Sequence, residues 1–207
     1  MNKKNELGEG VMQSKQSGFT LIEMVIVVVL VGILAATALP LMLDVTDQAE
    51  DATVEGVMGG FATGVGLVRA QWEIEGRPTQ NQASGITKVT IDDIEIGVDQ
   101  NTGYPTGLIS GNTEDVNIDN EDCAAVFSLI MQSAPVITSN WNDKPFNNVR
   151  YFTRVIDGGG TSGNDLCYYY LARTIKNRQT EPGDDTAGNG FYYDPRIGQV
   201  FFFSNNG

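Results

Sequence analysis

The feature that most constrains this chain is an uncharged apolar run near its N-terminus. The 20 residues from Met24 to Leu43 contain no charged side chain. A helix of this length reaches about 30 Å, which matches the hydrocarbon core of a membrane. Because Lys3, Lys4 and Lys15 precede the run, we expect the N-terminus to stay cytoplasmic and the C-terminal part to be exported.

A carboxylate at the start of this run needs an explanation. Glu23 lies four residues after Phe19, inside the apolar stretch, and a lone charge there is costly unless it finds a partner. The plain alternative is a membrane anchor whose Glu23 reaches the interface. An ordinary secretory signal does not fit, because no cleavage site of the A-x-A type follows the run.

The residues around Glu23 resemble the cleavage and assembly motif of the type IV pilins and of the type II secretion pseudopilins. The matching stretch reads Ser17-Gly18-Phe19-Thr20-Leu21-Ile22-Glu23-Met24. The resemblance implies that a prepilin peptidase cuts after Gly18 and that Phe19 becomes the methylated N-terminus. It also implies that Glu23 acts in assembly and that Pro40 kinks the helix. Glu23 would then be neutralised by the amino group of Phe19 on a neighbouring subunit.

This resemblance implies a set of partners and a location. The partners are other pilin subunits, the prepilin peptidase, an inner-membrane assembly platform and, before assembly, the membrane. The precursor would cross the inner membrane once and then enter a pilus on the cell surface. Residues 1–18 would be the leader, which is long for the family, and Met12 is an alternative start to Met1. Removing the leader takes three Lys and two Glu from a net charge of −13 and leaves −14.

Helical periodicity continues beyond the apolar segment 19–43. Apolar residues recur at spacings of three and four, which predicts an amphipathic helix over 44–75 that packs on a globular domain at 76–207. The stripe consists of Val54, Met58, Phe61, Val65, Val68 and Trp72. Five glycines interrupt it, and we favour close packing against the sheet over a segment that melts during assembly. They are Gly56, Gly59, Gly60, Gly64 and Gly66.

The globular domain is predicted to be rich in β-strands. We expect strands over 149–156, 166–174 and 199–203, with a broken strand or strand pair around Asp92-Asp93. A short helix is expected over 123–131, capped by Asp119 or Asn120. The expected fold class is α+β, with a long kinked N-terminal helix packed on a small antiparallel β-sheet. This is also the type IV pilin fold that the resemblance implies.

Cys123 and Cys167 are expected to form a disulfide. They are too far apart for a C-x-x-C redox motif and too few for a cysteine zinc site. An exported domain meets an oxidising compartment, and the bond would close a loop of about 45 residues and contribute about 4 kcal/mol. The alternative is a pair of free buried thiols.

The composition argues against catalysis and against nucleic-acid binding. The chain has no histidine, and its net charge of −13 opposes a phosphate-binding surface. No nucleophile has a recognisable base partner, so we expect neither an enzyme nor a cofactor. Calcium is a weak expectation, with Asp99 and Asn101 as candidates. The acidic clusters lack the EF-hand pattern, and a solvated acidic surface is favoured.

Patches of the globular half resemble one subgroup of pilins. The stretches 57–78, 101–105 and 167–170 are similar to the mannose-sensitive haemagglutinin (MSHA) pilins, most of all to the B-type minor pilin. That likeness implies a surface pilus used in attachment. Three alternatives stay open: a pseudopilin of a type II secretion system, a single-pass anchored binding module, and an adhesin that binds sugar through Tyr168–Tyr170. Whether the subunit is major or minor is also open.

Overall fold

The computed structural model describes residues 18–205, apart from the side chains of 40, 41, 43 and 44. The chain divides into two compact units, residues 1–45 and 46–207. The leader predicted over 1–18 therefore lies outside the described residues except for Gly18. In the first unit the described residues are Gly18–Thr20 and the N-terminal part of a helix. The second unit contains the remainder of that helix and two β-sheets.

Helix α1 spans Leu21–Ile74 and is assigned without a break through Pro40. The kink expected at Pro40 stays a prediction. At its C-terminus the helix ends where the sequence predicts, because Gly76 adopts a left-handed conformation with φ of 83°. The N–H of Arg77 then donates to the carbonyl of Trp72 at 2.9 Å, and the N–H of Gly76 donates to that of Glu73 at 3.1 Å. This pattern is a Schellman motif, which satisfies the last helical carbonyls.

The predicted apolar stripe on α1 is confirmed within the second unit. Five of its six residues are buried against the sheets, and Met58 is half-buried. The close packing expected for the glycines is found at one position only, and there it is against Ile130 and not against the sheet. A Cβ at Gly64 would lie 2.5 Å from the carbonyl oxygen of Ile130, so this glycine allows close packing. The other four meet nothing within 4 Å, and close packing against the sheet is wrong for them; they are Gly56, Gly59, Gly60 and Gly66.

The second unit contains a three-stranded and a five-stranded sheet. The smaller sheet is antiparallel in the order β1-β2-β3. Its strands are Lys88–Ile91, Ile94–Val98 and Pro105–Gly107. The larger sheet runs β4-β5-β6-β7-β8, with β4 parallel to β5 and all other pairs antiparallel. Its strands are Ile137–Thr138, Tyr151–Ile156, Leu166–Leu171, Gly190–Asp194 and Gln199–Phe203.

Helix α2 (Asn120–Leu129) packs on the larger sheet and is capped by Asp119, one of the two predicted caps. The Asp119 carboxylate accepts the N–H groups of Glu121 and Asp122 at 2.8 and 2.9 Å. The expected disulfide is confirmed: Cys123 on α2 is bonded to Cys167 on β6. The bond joins the helix to the central strand, within a core that also contains Phe61 of α1. The α+β fold class is therefore confirmed.

Several elements differ from the sequence expectation, and the short strands β3 and β4 were not predicted. The strand predicted over 166–174 ends at Leu171, because the chain turns there into the short helix α3 (Ala172–Ile175). Strand β7 was not predicted, although Phe191 and Tyr193 in it are fully buried. Glycines flank this strand and obscure the alternation of apolar and polar residues, so the sequence does not indicate a strand there. Its position depends on pairing with β6 and β8.

Candidate processing and assembly site

The predicted cleavage position lies in an exposed segment before α1. Gly18, Phe19 and Thr20 are exposed and non-helical, and Phe19 exposes 80% of its surface. A Cβ built on Gly18 meets no other atom within 4 Å. A peptide bond in such a segment is open to a protease in a way that a helical bond is not.

Glu23 is hydrogen-bonded to Thr20 at the start of α1. The N–H of Thr20 donates to Oε2 of Glu23 at 3.2 Å, and the N–H of Glu23 donates to Oγ1 of Thr20 at 3.3 Å. The hydroxyl of Thr20 also donates to Oε2 of Glu23 at 3.2 Å. This reciprocal pair is a capping box, which satisfies two of the free N–H groups at the helix start.

This second role of Glu23 was not predicted. The signal was readable, because Thr20 followed by Glu23 before an apolar run is the T-x-x-E pattern of a capping box. The assembly role predicted for Glu23 is untested by this arrangement. Its carboxylate is exposed and one face of it remains available to a further partner.

The rest of the described chain does not bury the apolar segment that follows. Leu21–Leu39 is long and apolar enough to cross a membrane by length and composition, and none of it is buried. Nearly all of its large apolar side chains expose half or more of their surface. Such a surface requires lipid or other protein around it.

The weak calcium candidates lie together in one turn. Asp99 is buried, and its Oδ1 accepts the N–H groups of Asn101 and Thr102 at 2.9 and 2.8 Å. Its other oxygen faces the N–H of Asp115 at 3.4 Å. These bonds give Asp99 a structural role in closing the turn. Within residues 18–205 no group of three or more Asp, Glu, Cys or His side chains is placed to hold a metal ion. Calcium binding at Asp99 and Asn101 stays a prediction.

Comparisons with known proteins find matches that include the N-terminal site. Residues 13–39 match the family model described as the prokaryotic N-terminal methylation motif. The N-terminal part of this chain is homologous to type IV pilins. The type IV narrow pilus major component PilA5 of Thermus thermophilus is 40% identical over 68 residues, which cover 33% of this chain and 57% of that protein.

Two further relatives extend the homology. A fimbrial protein of Neisseria meningitidis is 33% identical over 113 residues, which cover 53% of this chain and 62% of the relative. The type IV major fimbrial protein FimA of Dichelobacter nodosus is 39% identical over 75 residues, 36% of this chain and 46% of that protein. The matches thus span about half to three-fifths of each of these relatives. No solved structure matches the chain.

Proposed function

We propose that this chain is a structural subunit of a type IV pilus, matured by cleavage after Gly18 and assembled through its N-terminal helix. The observation that carries the proposal is the junction itself. An exposed Gly18-Phe19 bond precedes a helix whose first 19 residues are apolar and uncovered, in the part of the chain that matches the methylation motif. The relatives named above are pilus and fimbrial proteins, which supports a structural and not an enzymatic role.

The apolar segment would serve in two environments. Before assembly it would lie in the inner membrane, with the 46–207 unit outside the cytoplasm. A prepilin peptidase would cut the leader and methylate Phe19, and an inner-membrane platform would move the subunit into the fibre. There the same segment would pack against its copies, and Glu23 would pair with the amino group of a neighbouring Phe19.

A finer assignment is an MSHA-like pilus used in surface attachment, with this chain as a minor subunit. It is supported by the likeness of stretches 57–78, 101–105 and 167–170 to that subgroup. The competing assignment, a pseudopilin of a type II secretion system, shares the cleavage junction. The two differ in where the mature protein accumulates, because a pseudopilin does not form a surface fibre.

The test is intact mass and N-terminal sequencing of the chain from sheared surface fibres of its own host. The proposal expects a mature protein that begins at methylated Phe19. A high abundance in the fibres would indicate a major subunit and a trace amount a minor one. A mature chain that is absent from fibres but present in the membrane would favour the pseudopilin. An uncut leader, or a cut after residue 43, would overturn the pilin proposal.

A further inference from the structure

The positive charges of the second unit are concentrated in one region. Three of the 13 Lys and Arg lie in residues 1–18, which leaves ten. Half of these ten surround a pocket of about 440 Å³ beside α3, and we call this group the basic patch. Arg150, Arg173 and Lys176 line the pocket, and the Nζ of Lys144 donates to the carbonyl of Arg178 at its edge. The basic patch consists of Lys144, Arg150, Arg173, Lys176 and Arg178.

These cations differ from the others in their partners. Each of the five Lys and Arg outside the basic patch forms an ion pair with a carboxylate of the described chain; they are Arg69, Arg77, Lys88, Arg154 and Arg196. Within the patch, Arg173 pairs with Glu50, and the described residues offer no ion pair to Lys144, Arg150, Lys176 or Arg178. In a chain with 26 acids and 13 bases, this leaves an excess of positive charge in one place, which Glu50 beside Arg173 and Asp184 near Arg178 offset only in part.

A pair of exposed acids lies elsewhere on the same unit, beside Gly64 and Leu67 of α1. Asp92 and Asp93 form the turn between β1 and β2, and we call them the acidic turn. Neither carboxylate forms an ion pair with a Lys or Arg among the described residues. The N–H of Thr90, beside this turn, donates to Oε1 of Glu75 at 3.2 Å, just past the C-terminal end of α1.

The helix fixes the separation between the basic patch and the acidic turn. The basic patch adjoins α1 at Glu50, and the acidic turn adjoins it near Gly64 and Leu67. The 14 residues of helix from Glu50 to Gly64 span about 21 Å. The two charged surfaces therefore do not meet within one subunit, and both lie on the surface of the 46–207 unit.

We propose that the basic patch of one subunit binds the acidic turn of a second copy of this chain. Two different surfaces that complement each other form a heterologous contact, which generates a filament when the rotation between successive copies does not close into a ring. Mature copies carry a net charge of −14 and repel one another overall, so a local pairing of opposite charges sets the orientation in which they meet. This inference rests on the proposed function and adds the contact that orders the globular units.

Charge reversal in the full chain, expressed in its own host, tests the contact. Arg150→Glu, Lys176→Glu and Arg178→Glu together change the basic patch from five positive charges to two positive and three negative, and Asp92→Lys with Asp93→Lys reverses the acidic turn. Each set should lower the amount of mature chain in sheared fibres about ten-fold relative to the amount in membranes. The chain with all five substitutions should recover much of the wild-type level, because every copy again presents surfaces of opposite charge.

A neutralising variant separates this contact from folding. Asp92 and Asp93 have φ of 49° and 64°, and Asn-Gly is the preferred sequence for such a turn. Asp92→Asn with Asp93→Gly therefore removes both charges and favours the turn, and it should still lower fibre incorporation. Asp157→Lys is the control for Asp93→Lys, since Asp157 is also an exposed aspartate and belongs to neither the basic patch nor the acidic turn. It should leave incorporation unchanged.

The outcomes are distinct. Wild-type fibre levels in both reversals, or a combined variant as poor as either reversal alone, would overturn the contact while leaving the pilus proposal intact. A loss in the basic-patch reversal alone would also overturn it and would point to another anionic partner, such as lipid headgroups. Wild-type chain that never enters fibres would overturn the pilus proposal and the contact together.

Discussion

Thr20 and Glu23 exchange hydrogen bonds at the first turn of α1, with N–H of each residue donating to the side-chain oxygen of the other at 3.2 and 3.3 Å. Glu23 therefore has a local role in its own chain besides the assembly role proposed for it. The capping role needs an acceptor oxygen, whereas pairing with an amino group needs the negative charge. The two roles can be separated by substitution.

Glu23→Gln keeps an acceptor for the N–H of Thr20 and removes the charge. If the charge pairs with Phe19 of a neighbour, this variant should be processed normally but enter fibres at least about ten-fold less than wild type. Thr20→Val removes the hydroxyl of the capping box, costs about 1 kcal/mol of helix stability and should change assembly little. The measurement is the ratio of mature chain in sheared fibres to that in membranes. Normal assembly of Glu23→Gln would leave Glu23 with the capping role alone.

The elements with a local pattern could be predicted from the sequence. The stripe on α1 follows from spacing, the strand pair around Asp92-Asp93 was one of two alternatives that follow from alternation, and Asp119 was one of two predicted caps for α2. Strand β7 could not be predicted, because its burial comes from partners far away in sequence. The N-terminal site was readable as a motif, since all its parts lie in one short stretch.

The charged surfaces of the second unit could not be predicted in the same way. Arg150 and Lys176 are 26 positions apart, and only the packing of α3 beside β6 brings them to one pocket. Which carboxylates neutralise the remaining cations is likewise a property of the fold. The sequence shows only the overall excess of acids.

Two glycines on α1 have opposite surroundings and so give opposite predictions. A Cβ at Gly64 would lie 2.5 Å from the carbonyl oxygen of Ile130, whereas at Gly60 it meets nothing within 4 Å. Gly64→Ala should lower the free energy of unfolding by about 1–3 kcal/mol, since backbone must move. Gly60→Ala should raise it by up to about 1 kcal/mol through helix propensity. Urea unfolding of the full chain in detergent, followed by fluorescence of buried Trp72, measures both. Equal effects would contradict the packing described for Gly64.

Two buried tyrosines differ in the partner of their hydroxyl group. The hydroxyl of Tyr169 donates to the carbonyl of Cys123 at 2.9 Å. That of Tyr151 is buried without a hydrogen-bond partner among the described residues. Tyr169→Phe should therefore cost about 1 kcal/mol of stability, and Tyr151→Phe should be neutral or stabilising by up to about 1 kcal/mol. The test compares the urea midpoint of each variant with that of the wild type. A loss in Tyr151→Phe equal to that in Tyr169→Phe would reveal a partner for the Tyr151 hydroxyl.

The same tyrosines make the fold sensitive to alkaline pH. Burial raises the pKa of Tyr151 from 10 to about 12, and burial raises the pKa of Tyr169 and Tyr193 well above 10. In the unfolded chain these groups ionise near pH 10, so their contribution to stability is complete below pH 10. It falls as the pH rises from 10 towards the folded pKa, at about 1.4 kcal/mol per pH unit for each fully buried tyrosine.

Urea midpoints measured from pH 8 to pH 11.5 should therefore be level up to about pH 10 and then fall steeply. Tyr151→Phe is the matched control, because it removes one of the contributing groups without removing the ring. Its urea midpoint should fall less steeply above pH 10 than that of wild type. Near pH 11.5 the wild type should have lost about 2 kcal/mol more of its free energy of unfolding than Tyr151→Phe. A wild-type midpoint that stays level to pH 11.5 would mean that the buried hydroxyls ionise as easily in the folded chain as in the unfolded one. Parallel curves for wild type and Tyr151→Phe would assign the alkaline loss to the other buried tyrosines, which are Tyr168, Tyr169, Tyr170 and Tyr193.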